Sequence, residues 1–361
     1  MAVFKKQQSD TVDLYNVLLC LSVVFIHVSS EPISRYRQDS LIYLLLFVVL
    51  KLFSAAVPAF LFLAGYKFAH SAGALRFDYK KYIGRRVRRV LLPYLVAASV
   101  FYFYFISRGF ETFGWARWGQ GLLLGTVASP FYFVILIFQF YLLAPLWLLV
   151  LRKVKGAPAI LIALAVTVFA KFFLPERIVR VAPGSALTAL ITYNDRIFIS
   201  YLVYWAFGCY FGQRADAVKA LTARRKALIF SVGLPLAAVH VWLSYLHRTQ
   251  GFYYLVAEIV HVFFCVAMIL MGYVLIRWLH EKIGALTFNK AVLWLDGLSY
   301  PVYLWHCLFI YIADDLLYRR GVTSTSLRFA LRFVFVYAAA VVFCAAFAWL
   351  KSRVKLLCER K

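Results

Sequence analysis

The stretch V-D-L-Y-N-V-L-L-C-L-S-V-V-F-I-H-V-S-S, residues 12–30, decides the fold class. Its apolar run is long enough to cross a bilayer, whose hydrocarbon core takes about 20 residues of helix. Many such interiors in this chain are rich in Val, Ile, Phe and Tyr, a composition that would suggest strands in water. In lipid the backbone must satisfy its own hydrogen bonds within the segment, so the run reads as a helix. Near its end stands an imidazole, His27, with apolar neighbours and only Ser22 as polar company in mid-span.

Runs of this kind recur along all 361 residues. Cut at about 20 apolar residues each, they predict ten spans: 12–30, 41–69, 89–107, 130–151, 157–174, 191–212, 226–246, 253–276, 292–313 and 329–350. Composition agrees, with 64% hydrophobic residues, 15% charged and a mean hydropathy of +0.79. A soluble domain has about 45–50% apolar and about 25% charged residues. No polar segment is long enough for a second domain, so the expectation is one all-α, polytopic membrane domain over residues 1–361. The overlong second span holds Lys51 and Pro58 and is expected to tilt or kink. Residues 114–130, G-W-A-R-W-G-Q-G-L-L-L-G-T-V-A-S-P, read as an interfacial segment with a Trp anchor. Pro175–Tyr193 is the most irregular connection. The first apolar run lacks a small-residue cleavage site, so no cleavable signal is expected.

Basic residues set the orientation. With the N-terminus in the cytoplasm, the inner segments carry 25 Lys and Arg against 13 in the outer ones, and an even number of spans leaves both termini cytoplasmic. The net charge of +25 therefore lies mainly on the inner face, where it sets topology and attracts anionic lipid headgroups. Nucleic acid is not an expected partner, because no soluble domain presents a groove. One cluster is denser than orientation requires: R-F-D-Y-K-K-Y-I-G-R-R-V-R-R-V-L-L-P-Y, residues 76–94. Guanidinium groups match phosphates bidentately, so Arg85, Arg86, Arg88 and Arg89 are candidates for a phosphate-bearing cytosolic ligand as well as for topology.

Ionisable side chains inside hydrocarbon are costly and mark functional candidates. His27 lies fourteen residues past Asp13, about 20 Å along the helix and well past the midplane. His306, in L-S-Y-P-V-Y-L-W-H-C-L-F, falls at comparable depth, with Tyr300, Tyr303 and Trp305 reading as interfacial anchors. Either histidine could instead bond a carbonyl across a helix interface. Glu258 and His261, three apart, read as a buried structural pair in preference to a proton relay, and Asp296 as a cap. The six cysteines are scattered without a CxxC pair and read as small core hydrophobes; neither metal nor disulfides are expected. An imidazole at that depth suits a general base that deprotonates a hydroxyl attacking an acyl carbon, or an acyl carrier. No GxSxG, Walker or HExxH motif supports a hydrolase, ATPase or zincin.

The chain resembles the bacterial acyltransferase family three, membrane enzymes that acylate cell-surface carbohydrates. The likeness is carried by residues 12–30, by V-P-A-F-L-F-L-A-G-Y-K-F (57–68), by the basic segment 77–95, by F-Y-F-V-I-L-I-F-Q-F-Y-L-L-A-P-L-W (131–147) and by L-S-Y-P-V-Y-L-W-H-C-L-F-I (298–310). These run in family order from about residue 10 to 350. Size points to the stand-alone exopolysaccharide O-acyltransferases. The resemblance implies ten spans in a bacterial inner membrane and acyl-coenzyme A as donor, with acetyl the expected acyl group. It also implies His27 as the essential histidine, His306 in support, and the Arg85–Arg89 cluster as a place for donor phosphates. Two positions depart from the pattern: Asn16 stands where arginine is usual, and Ala64 where serine is usual before Gly65. They leave open a divergent donor, another basic residue in that role (Lys67 or an arginine near 85), or lost activity. The competing reading is a carrier or flippase for polysaccharide or lipid-linked sugar, with Trp147, Tyr201, Tyr204, Trp205 and Tyr210 along its path or simply in the core. Against it, no inverted repeat is evident.

Overall fold

The computed structural model describes residues 2–72, 77–154, 156–173, 192–251, 254–283 and 286–358, and every regular element among them is helical. The expected irregular connection Pro175–Tyr193 lies outside the described residues except for its last two. The chain forms two compact units, one of residues 1–56 with 275–361 and one of residues 57–274.

The first unit is built on α1 (Ala2–Val28), α2 (Ser30–Arg35), α3 (Leu41–Phe53), α15 (Leu286–Arg319) and α16 (Thr325–Cys358). Ser40 starts α3 by accepting the Tyr43 N–H on its hydroxyl at 3.3 Å. Three rungs show that α1 and α15 run parallel. Asn16 donates to Asp296 at 2.6 Å, the Cys20 thiol donates to the Ser299 carbonyl at 3.2 Å, and His27 faces His306. α16 runs the other way along α1: the Tyr337 hydroxyl reaches the Leu21 carbonyl at 2.7 Å, and Arg332 reaches the level of His27. Val24 and Val28 are fully enclosed, and Phe25 meets Phe53, Phe329 and Phe333 edge-on. Asp296 lies inside α15, bonded to Asn16, and so is not the cap expected of it.

The second unit holds α4 (Ala56–Ala72), α5 (Tyr79–Arg86), α6 (Leu92–Ser107), α7 (Trp115–Leu124), α8 (Tyr132–Leu142), α9 (Ala144–Lys153), α10 (Ala157–Val168), α11 (Leu202–Gln213), α12 (Ala215–Arg224), α13 (Lys226–Gln250) and most of α14 (Tyr254–Ile283). α4 and α11 cross backbone to backbone. A Cβ on Gly208 would collide with the Phe62 carbonyl, and one on Gly65 or Gly212 with the carbonyls of Trp205 or Tyr66. Small residues at such crossings let helices gain packing where lipid supplies no hydrophobic drive between them.

Six described helical segments are long and apolar enough to cross a membrane: Thr11–Arg35, Leu41–Ser71, Tyr79–Ser107, Lys226–Gln250, Leu255–Lys282 and Thr325–Val354. The pair Trp115–Leu124 and Ser129–Leu142, bent by 57°, is either a seventh, broken span or a re-entrant loop. The protein is a multi-pass membrane protein. The second expected span is broken at Ser54–Ala55, in line with the kink anticipated. The third begins ten residues early, at Tyr79, where Asp78 accepts the Lys81 N–H at 3.0 Å. It passes through a π turn, Val87–Leu91. Pro93 has no N–H and crowds the carbonyl four residues back, so the wider turn relieves the clash. The segment expected at 130–151 is split at Leu143, ahead of Pro145, into two helices too short to cross alone. In 191–212 only α11 is regular α-helix, preceded by 3₁₀ turns at Asn194–Arg196 and Phe198–Tyr201. α15 has the length, but carries Lys290, Asp296, Asp314 and Asp315.

Candidate active site

His27 occupies the last turn of α1, before Ser29 turns the chain into α2. His306 occupies the matching level of α15, five residues past Pro301. The parallel run of the two helices brings the rings together, centroids 5.2 Å apart and planes tilted by 45°. His306 is fully buried, whereas His27 keeps part of its surface open. The Nδ1 of His306 lies 2.7 Å from the Tyr303 carbonyl and 3.2 Å from that of Val302. Carbonyls only accept, so Nδ1 carries the proton and Nε2 keeps its lone pair. That lone pair faces the Cys307 thiol at 3.4 Å. Tyr303 is buried and so is not an exposed interfacial anchor, while the half-buried Trp305 packs edge-on against Phe343.

A charged cluster lies directly behind the pair. Arg332 is enclosed, its side chain 3% exposed, and donates to Glu31 at 2.8 Å. Asp314 stands 3.2 Å from it. Its Nη2 donates to the His27 main-chain carbonyl at 3.3 Å. Arg328, one turn back on α16, shares Glu31 at 3.2 Å. A guanidinium in this setting is tolerable only when paired, and here Glu31 and Asp314 serve Arg328 and Arg332, with the half-exposed Arg35 also on Glu31 at 2.9 Å. The same carbonyl, at the C-terminal end of α1, also accepts from the Ser30 hydroxyl at 2.7 Å. In the sequence Arg332 falls within the expected span 329–350 and Arg328 just before it, and neither is singled out there. The signal was nevertheless present. Arg328 and Arg332 are four apart, Glu31 is four past His27, and Asp314 is eight past His306, each a same-face helical spacing.

The remaining candidates are distributed elsewhere. Asn16, at the position where arginine was expected, lies about 16 Å along α1 from His27 and bonds Asp296. Lys67 is exposed on α4. Arg85, Arg88 and Arg89 are exposed, three and four residues apart at the α5–π junction. Arg86 turns away from them, its guanidinium 4.4 Å from the Tyr141 ring centroid and 5.2 Å from that of Tyr82. That stacking occupies it through cation–π attraction. The cluster therefore offers three open guanidinium groups rather than four. Glu258 does not pair with His261; its partner is Lys171 at 2.9 Å, while His261 stacks on His240 at 4.8 Å. Of the aromatics considered for a sugar path, Trp205 is core, stacked on Phe140 at 4.7 Å, and Tyr204 is buried. Trp147, Trp205 and Tyr210 border a cavity of about 200 Å³ in the second unit, whose other walls are apolar except for Gln213. Such a lining suits a hydrocarbon chain better than a sugar.

A family model described as an acyltransferase domain matches residues 10–349, nearly the whole chain. No curated protein and no solved structure matches.

Proposed function

Because the chain belongs to acyltransferase family 3 and is an acyltransferase, we propose that it moves an acyl group, acetyl in the simplest case, from cytosolic acyl-coenzyme A to a hydroxyl of a cell-surface or exported carbohydrate. His27 is the reacting imidazole, as general base or as acyl carrier, and His306 supports it. The observation that carries this reading is the juxtaposition of the two rings, with the Arg332 clamp behind them. As general base, His27 takes the proton of the acceptor hydroxyl while that oxygen attacks the thioester carbonyl carbon. The carbon–sulfur bond then breaks and the proton passes to the departing thiolate. As carrier, the imidazole nitrogen attacks the thioester carbonyl first and expels the coenzyme A thiolate. The acceptor oxygen then attacks the acyl-imidazole, the acyl–nitrogen bond breaks, and the hydroxyl proton passes to the freed imidazole.

The membrane placement fits a bacterial inner membrane with both chain ends in the cytoplasm. α1 and α15 run parallel, and α16 antiparallel to them. When all three cross, an odd number of crossings must separate α1 from α15, which the seven expected spans between them satisfy. Both ends then share one side, and the basic bias assigns that side to the cytoplasm. Arg85, Arg88 and Arg89 would face the donor's phosphates there, and anionic lipid is the natural surface partner of the same charge.

The test is acyl transfer from acetyl-coenzyme A to a soluble oligosaccharide by full-length protein in proteoliposomes. His27→Gln, which keeps hydrogen bonding and volume, is expected to lose about 10²–10⁴-fold in rate at normal abundance. A His27→Gln protein that acylates at the parent rate removes the imidazole from the chemistry.

A further inference from the structure

The site holds a third group that acyl transfer does not use. Nε2 or Nδ1 of His27 and of His306 and Sγ of Cys307 all lie within 4.8 Å of one another. We propose that these three side chains bind one borderline-soft divalent cation of the zinc class, in a tetrahedral His₂Cys site with water at the fourth position.

Three features favour it. The first is the bite of the adjacent pair. With Zn–N near 2.0 Å and Zn–S near 2.3 Å, the 3.4 Å between His306 Nε2 and Cys307 Sγ subtends about 104° at the ion, close to tetrahedral. Second, His306 is already oriented as a ligand. Its Nδ1–H is held by the Tyr303 and Val302 carbonyls and its Nε2 is turned inward, the outer-shell arrangement that fixes the tautomer of metal-bound histidine. Third, His27 sits in the last turn of its helix, only partly buried, its ring centroid 5.2 Å from that of His306, so a side-chain rotation can complete the shell. Charge does not forbid the ion. The enclosed Arg328 and Arg332 share Glu31 and Asp314, and the third arginine on Glu31, Arg35, is half exposed. The thiol gives up its proton to bulk buffer as the metal–sulfur bond forms, which leaves a single added positive charge. Softness selects the ion, since thiolate with imidazole favours zinc-like metals over magnesium or calcium. On the reading of His27 given above, the bound ion takes the lone pair that acyl transfer needs and so inhibits it.

Cobalt(II) is the spectroscopic probe. Full-length protein in detergent, stripped with a chelator and titrated with Co²⁺, is expected to bind one ion per chain. A near-ultraviolet thiolate-to-cobalt band and intense tetrahedral visible bands should appear, and Zn²⁺ should bleach both. Cys307→Ser should remove the near-ultraviolet band, and His27→Gln should weaken Co²⁺ binding at least roughly tenfold. Cys344→Ser, at another buried cysteine of the same unit, should change neither. Elution volume and thermal unfolding identify variants that have misfolded, and Cys307→Ala replaces Cys307→Ser if serine does. A band that survives loss of the Cys307 thiol, or no Co²⁺ bound beyond what that variant binds, overturns the site. The readout is binding alone, so it stands or falls separately from acyl transfer.

Discussion

Arg332 donates to the main-chain carbonyl of His27 at 3.3 Å, although 305 residues separate the two in the chain. Through the same guanidinium it holds Glu31 at 2.8 Å, so one side chain of α16 ties together the end of α1 and the start of α2. The ring of His27 is thus positioned from behind, by its backbone. Removing Arg332 leaves Glu31 with Arg328 and Arg35 and leaves Asp314 only Arg328, 3.9 Å away, a loss of charged hydrogen bonds that costs about 1–3 kcal/mol. Arg332→Ala should lower thermal stability and membrane abundance strongly. Arg332→Lys, which keeps the charge without the fork, should fall between. An Arg332→Ala protein melting with the parent would show that the cluster is not structural.

His306 should tolerate change better than His27. Its Nδ1 is committed to carbonyls of its own helix, so it supports the site without facing the substrates in the same way. In initial-rate assays His306→Gln should retain activity within about tenfold, whereas general-base loss costs about 10²–10⁴-fold. Equal losses in the Gln variants of both residues would mean that the two imidazoles act as one unit.

The basic cluster divides by geometry. Arg85, Arg88 and Arg89 are open, while Arg86 stacks on Tyr82 and Tyr141. Neutralising the three open arginines together should weaken acyl-coenzyme A binding several-fold or more, with a salt dependence that disappears. Arg86→Gln should act on stability and leave the salt dependence of binding in place. Isothermal titration at two ionic strengths separates these outcomes, and unchanged binding in the triple variant returns the cluster to topology alone.

Gly208 admits no side chain, because the obstacle is the Phe62 carbonyl rather than a movable side-chain tip. Gly208→Ala should cost about 1–3 kcal/mol or more by forcing α4 and α11 apart. Gly84→Ala, with open space around its Cβ, should be neutral or slightly stabilising as a helix-interior replacement. Thermal melts of the two in detergent are the comparison, and similar melting points would contradict the close crossing.

Lys80 and Arg225 are exposed at their helix ends. Single cysteines there should resist an impermeant thiol reagent in intact cells and react after permeabilisation. Labelling at both sites in intact cells would invert the orientation and place the donor side wrongly.

Much of this molecule is legible in the chain because lipid permits few answers. A run such as residues 12–30 must satisfy its own backbone, so length and apolarity alone make it a helix, and a titratable group within it stands out. That is why His27 and His306 were found, and why the family was recognised from motifs in order. What the sequence could not settle were relationships between helices. Arg328 and Arg332, at the start of the expected tenth span, are not singled out, because the spacing hints do not say which helix brings Glu31 or Asp314 to them. Arg86 was indistinguishable from its neighbours until Tyr141 came to cover it. Glu258 was matched by spacing to His261, yet Lys171 supplied the opposite charge that a half-buried carboxylate favours. The break before Pro145 and the π turn before Pro93 depend on how local strain is absorbed, and hydropathy does not encode that. Composition and periodicity therefore determined which segments are helices and which residues are chemically unusual there. Only the packing of those helices decided which charges meet, because pairing free energies depend on distance across space and leave no period along the chain.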